Sequence, residues 1–189
     1  MHPRLLMHPR LLMTLTAALG LLLAGKVFFT REQALELAFG KQPRVVAATH
    51  WLTEAQAKRA AELAGSDAVG RVAQSHAGTD AEGKPLGTAY FDLRTLRSHA
   101  QSLMVVVAPD GSAQRITVLS FDEPLEYMPK AKWYESIQGR KLDDELQLKR
   151  GVHAVTGATL TARGTVNAVR EILAVHKVLQ EPLPPEPKP

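Results

Sequence analysis

The stretch "SLMVVVAPDGSAQRITVLSF", Ser102–Phe121, decides the fold. Ser102–Pro109 is an apolar run of the type found in a central strand. Asp110-Gly111 supplies turn chemistry. Gln114–Phe121 returns with Ile116, Thr117 and Val118, whose β-branched side chains suit a pleated surface. The reading is an antiparallel hairpin, and with it a sheet that needs helices to cover it.

Upstream of the hairpin, Gly87–Leu96 and Val69–Gly78 read as further strands, separated by a polar turn at Thr79–Pro85. Before them "TREQALELAFG" has Thr30 at an N-cap position, Gln33 three residues on and Gly40 past the end, a capping box with a terminal glycine. "LTEAQAKRAAELAG" repeats the pattern with Thr53, Gln56 and Gly65, and Leu52 is placed to staple the first turn. Arg44–Trp51 between the two helices is a short strand.

Downstream, Pro124 and Pro129 break the chain, Lys132–Gln138 can form one or two helical turns ended by Gly139, and Asp143–Leu148 suits another short turn. The spacing of Ala162, Val166, Val169, Leu173 and His176 predicts an amphipathic helix to Leu179, widened by Ile172, with Arg163, Asn167 and Arg170 turned away from the apolar stripe. His176 on that stripe reads as a packed residue rather than a ligand. Residues 181–189 form a Pro-rich, extended tail.

The N-terminus is different in character. "MHPRLL" occurs twice, so Met1, Met7 or Met13 could initiate. Arg4 and Arg10 precede the uncharged, strongly apolar "LLMTLTAALGLLLAG", an export segment by its physics. Cleavage after Ala24 or Gly25 would place a leucine where a small residue is wanted. Counted through Phe29, with Lys26 snorkelling, the run approaches membrane-spanning length, which favours a retained anchor with the body outside over a cleaved signal.

Composition removes several function classes. The chain has 189 residues, net charge +4 and no cysteine. Disulfides, thiol catalysis, iron–sulfur clusters and cysteine-attached haem are excluded. The positive residues are scattered without interleaved aromatics, so nothing points to nucleic acid. His50, His76, His99 and His176 stand apart with no metal-ligand spacing, and there is no nucleophile elbow or Walker loop.

What remains is "VHAVTGATLTAR", Val152–Arg163, directly before the long helix. Thr156 or Thr159 could simply cap it. Alternatively the first-turn N–H groups and the positive end of the helix dipole receive a phosphate, which small residues allow to approach closely. From the residues alone the two readings stand side by side.

"VTGATLTA" resembles the Ser/Thr-Gly-Ala-Thr flavinylation motif of the FMN-binding domain proteins, among them the membrane-anchored FMN subunits of the sodium-pumping NADH:quinone reductase and of the Rnf electron-transport complex. "FDEPLEYMPKAKWYESIQGRKL" is similar to a family segment through Glu123, Pro124, Trp133, Gly139 and Arg140, and the likeness extends over roughly residues 87–179. The resemblance implies FMN as cofactor, esterified through its phosphate to Thr159 by an exported flavin transferase. Thr156, Gly157, Ala158, Leu160, Thr161, Glu123 and Trp133 would accompany it. The chain departs from the family at His153, where an aspartate is usual.

The expectation is therefore an α+β fold, a single FMN-binding domain with a small antiparallel sheet packed against helices. Residues 1–29 would be an export signal or anchor, 30–66 a helical N-terminal segment, 67–180 the FMN-binding domain and 181–189 a tail. The implied function is a periplasm-facing electron-transfer flavoprotein at the inner membrane, exchanging electrons with partner proteins of a membrane electron-transport chain. It would be a carrier subunit rather than a stand-alone enzyme, with no catalytic residue and no metal of its own. Two alternatives are a structural subunit without covalent flavin and a flavin reductase with its own substrate.

Overall fold

The structure, a computed structural model, describes residues 25–41 and 43–182. The apolar N-terminal segment up to Ala24 and the Pro-rich tail from Leu183 lie outside the described residues. The elements in chain order are β1 (Lys26–Val27), α1 (Arg31–Phe39), β2 (Arg44–Trp51), α2 (Glu54–Ala64), β3 (Val72–Thr79), β4 (Pro85–Leu96), β5 (His99–Val107), β6 (Ala113–Phe121), a 3₁₀ turn at Leu125–Tyr127, α3 (Ala131–Glu135) and α4 (Thr159–Gln180).

The fold is α+β. The six strands form one antiparallel sheet in the order β1-β6-β5-β4-β3-β2. The Ser102–Phe121 hairpin sits inside it as β5 and β6. Its turn is closed by Ala108 N–H on Ser112 O (2.8 Å), and Asp110 Oδ1 accepts from the Ser112 N–H (3.0 Å) and hydroxyl (2.7 Å). Gly111, at φ 80°, takes the left-handed position that such a turn leaves to glycine.

Period-two alternation assigns the two faces. Val105 and Val107 of β5 join Tyr90, Ile116, Val166, Val169 and Leu173 on the side of α4. Met104 and Val106 join Ala34, Phe39, Ala89 and Leu119 on the side of α1. Covered on both faces, β5 has no place for polar alternation, which explains its unbroken apolar run. A third cluster, Leu52, Ala60, Ala64, Ala174, Val175 and Val178, packs α2 against the C-terminal half of α4.

Both capping boxes are present, Thr30 with Gln33 and Thr53 with Gln56, each side chain bonding the other's backbone N–H. Three expectations are corrected. The stretch counted as membrane anchor through Phe29 gives up its end to the sheet: Lys26 pairs with Phe121, Val27 with Ser120, and the N–H groups of Phe28 and Phe29 reach Leu119 O. The uncharged apolar run left before the sheet is Leu11–Gly25. Second, residues 30–66 are no separate helical segment, because α1 covers the sheet and β2 is one of its edges. Third, Arg170 does not turn away. It is buried at 6% exposure, with its guanidinium donating to the carbonyls of Ala64 (2.8 Å), Leu63 (3.3 Å), Asp143 (2.6 Å) and Leu146 (3.2 Å). It thereby satisfies the carbonyl-rich end of α2 and holds the 143–146 loop against α4.

Candidate functional site

Val155 to Ala158 form a tight turn in which Ala158 N–H bonds Val155 O (3.1 Å), and Gly157 has φ 81°. A turn with positive φ at its third residue calls for glycine there. The turn delivers the chain into α4 at Thr159.

The helix start differs from the capping expectation. Neither threonine caps it: the N-cap residue is Ala158, with no side-chain cap bond. The Thr159 hydroxyl instead donates backward to Val155 O (3.0 Å). The first helix-closing bond is Ala162 N–H to Ala158 O (2.9 Å), and among the described residues nothing accepts from the N–H groups of Thr159, Leu160 or Thr161. These are the orphan donors of a helix N-terminus, with the positive end of the macrodipole behind them. α4 has 22 residues, ample for that dipole.

The orphan donors lie at a cavity of about 200 Å³ lined by Leu96, Arg97, Glu123, Tyr127 and residues 157–161. Of the residues singled out from the sequence, Gly157, Ala158, Thr159, Leu160, Thr161 and Glu123 meet there. Thr156 and Trp133 do not line it. Thr156 belongs to the turn that aims Gly157. Trp133 packs its ring edge-on against Tyr134 (centroids 5.1 Å apart) and donates its indole N–H to His153 O (2.8 Å), so it fixes the loop rather than walling the cavity.

Two elements bring the remaining walls. The segment after β6 contributes Glu123 and Tyr127. Glu123 Oε1 lies 3.6 Å from Nδ1 of His99, an ion pair when that imidazole is protonated. The tip of the β4–β5 hairpin contributes Leu96 and Arg97, which sequence reasoning missed. Leu96 rests on α4 where Gly164 leaves room: a Cβ at 164 would lie 2.5 Å from Leu96 Cδ2. Of the lining residues Tyr127 and Leu160 remain exposed, at 40% and 38%.

His176 keeps to its packed reading, half-buried with Nδ1 2.9 Å from the Tyr90 hydroxyl. Burial lowers its pKa from the ordinary imidazole value. Among the described residues no three His, Asp or Glu side chains gather to hold a metal, and no helix is long and apolar enough to cross a membrane.

Residues 99–174 match the family model described as FMN-binding domain. The solved structure of NqrC from Shewanella oneidensis is similar at 18% identity, covering 81% of this chain and 91% of that one, with a TM-score of 0.52. At that identity the likeness is one of fold. No curated protein matches the chain.

Proposed function

We propose that this chain, which carries an FMN-binding domain over residues 99–174 and has FMN as its cofactor, is an exported electron-transfer flavoprotein. In it FMN is esterified through its phosphate to Thr159. The observation that carries the reading is the start of α4: the three residues with unpaired N–H groups all line one cavity, beside a hydroxyl whose proton is already directed to Val155 O.

The donor set fits a phosphate. Backbone amides at a helix end bind anions without a full cation. The turn at Gly157 keeps side-chain bulk away, since a Cβ there would meet no atom within 4 Å. Thr159, Leu160 and Thr161 would hold the phosphate end, with Gly157 and Ala158 shaping the approach. An ester to Thr159 Oγ needs a donor whose FMN phosphate sits in an anhydride, because free FMN offers no leaving group. An exported flavin transferase is the partner that supplies it.

When bound, the flavin supplies the one- and two-electron redox chemistry. The protein's part is to orient it and leave it reachable. Pockets that enclose a drug-sized ligand run to about 300–1,000 Å³, and the cavity here is about 200 Å³. It can accept the phosphate end but not the whole of FMN. A cofactor held this way meets redox partner proteins at the surface, which favours a carrier over a reductase with its own enclosed substrate. The phosphate ester suits an exported carrier, since unattached FMN outside the cell membrane is lost by diffusion.

Export is supported by the basic-then-apolar leader of the sequence. With Phe28 and Phe29 bonded into the sheet, an anchor consists of Leu11–Gly25 with Arg10 and Lys26 at its two ends. Such a segment is short against the roughly 20 residues of a spanning helix, so both cations would snorkel to the interfaces. The proposed location is the periplasmic face of the inner membrane.

The test is the intact mass of the full chain co-produced with an exported flavin transferase. An increment of FMN less one water is expected, surviving denaturation and mapping to the peptide that contains Thr159. Wild-type protein without that increment would sink the covalent reading and move the structural-subunit alternative to first place.

A further inference from the structure

We infer that Arg97 is the cation that holds the FMN phosphate at the α4 N-terminus, and that its unusual backbone is retained to place it there. The inference rests on the FMN reading above and names the residue that completes its phosphate site.

β4 and β5 stay in register to Leu96↔His99, so Arg97 and Ser98 alone make the turn. Arg97 has φ 57°, whereas Ser98 is not in the positive-φ region. Two-residue hairpin turns with positive φ only at the first central residue take glycine there by preference, because a side chain crowds the backbone in that conformation. Arginine at that point is locally unfavourable. Among the described residues the folded structure gives it no compensation, for Arg97 takes part in none of the side-chain hydrogen bonds or ion pairs. Its neighbour Arg94 shows the contrast, held by Asp92 (2.6 Å) and Glu171 (2.9 Å).

What Arg97 does have is a place on the cavity wall together with residues 157–161 of the helix start, its side chain otherwise exposed to solvent. That place is fixed by packing. Leu96, 8% exposed, seats the hairpin tip on α4 against Gly164, one turn beyond the orphan donors. The charge balance then favours adding a cation to the helix-end amides. The lining residues carry one positive group, Arg97, and one negative group, Glu123. A phosphodiester adds one full negative charge, and the helix end offers only about half a unit charge of opposite sign. Arginine binds phosphate oxygens in pairs and stays protonated at every working pH.

The test uses the full chain co-produced with an exported flavin transferase, comparing wild type, Arg97→Gly, Arg97→Lys and Arg97→Glu with and without flavin. Arg97→Gly relieves the turn, so its flavin-free melting temperature is expected at or above that of wild type. The rise in melting temperature on flavinylation should fall by at least half in Arg97→Gly. It should vanish in Arg97→Glu and largely survive in Arg97→Lys. In wild type that rise should shrink as salt is raised, and in Arg97→Gly it should not. A flavin-dependent rise in Arg97→Gly equal to wild type, with the same salt dependence, overturns the assignment of Arg97 while leaving the FMN reading intact. Wild type without any flavin overturns both.

Discussion

The indole N–H of Trp133 donates to the carbonyl oxygen of His153, 2.8 Å away, and ties α3 to the loop that leads into α4. The loop thereby gains a fixed point two residues before the Val155–Ala158 turn. Trp133→Phe keeps a ring and deletes the bond, at about 1 kcal/mol. A small drop in melting temperature is expected, together with a lower flavinylated fraction when transferase is limiting. Unchanged loading would show that the loop is rigid without this tie.

Thr159→Ala should abolish the covalent mass increment while the fold survives. The Thr159 hydroxyl serves Val155 O and caps nothing, so about 1 kcal/mol is at stake. Thr159→Ser should keep part of the increment. Thr161→Ala should leave the ester in place, because Thr161 is 3% exposed and lies beyond the turn. His153→Asp, which restores the usual family residue, should raise the flavinylated fraction. Mass spectrometry of denatured protein reads all four.

Gly157→Ala and Gly78→Ala separate two reasons for glycine. At 157 there is space but φ is 81°, so alanine costs roughly 1–2 kcal/mol through the backbone alone. At 78 a Cβ would lie 2.6 Å from Cγ of Phe39, whose ring lies over β3. Gly78→Ala should displace α1 and destabilise the protein without touching the cavity. Gly78→Ala combined with Phe39→Leu should recover part of the loss, whereas Gly157→Ala should gain nothing from Phe39→Leu. Chemical denaturation measures both.

His176 and His76 predict the pH dependence of stability. Burial lowers both from the ordinary imidazole value of about 6.5. The unfolded chain then binds protons more readily than the folded one, so stability is full above about pH 6.5 and is lost as pH falls from there through the lower folded values. A protonated ring also cannot accept at Nδ1 from the Tyr90 hydroxyl. The melting temperature should fall on acidification through this window, and His176→Gln should flatten the slope. An identical slope in His176→Gln would remove His176 from this account.

Arg170→Ala should destabilise by on the order of 3 kcal/mol, because it leaves several buried carbonyls without a donor. Arg170→Lys should rescue little, since one ammonium cannot span carbonyls on both α2 and the 143–146 loop. Thermal melts of the two variants check this.

The residues that sequence reading missed share a physical cause. Strands with two covered faces and helices with capping boxes announce themselves, because period and cap chemistry are local. Arg170 does not, because arginine on a helix reads as solvated unless the carbonyl-rich end of another helix is known to sit beside it. Arg97 is hidden for a related reason: whether Arg-Ser is a two-residue turn depends on the register of β4 with β5. β1 was read into the anchor since Val27, Phe28 and Phe29 are apolar in either setting, and only the free edge of β6 decides between them. Glu123 was legible only through family resemblance, and it does line the cavity. Trp133 came from the same resemblance and holds the loop instead.

The pairing of Lys26 and Val27 with β6 bears on the order in which the molecule assembles. β2 to β6 are neighbours in sequence as well as in the sheet, so each hairpin can close as soon as its second strand exists. β1 cannot. It is made before the rest of the sheet, yet its partner Phe121 comes only after four other strands have been made, and closing so long a loop is entropically the most demanding step of the sheet. Until then the apolar stretch Val27–Phe29 has no partner strand. The sheet is thus sealed last at the edge whose residues are made first, and its completion waits on β6.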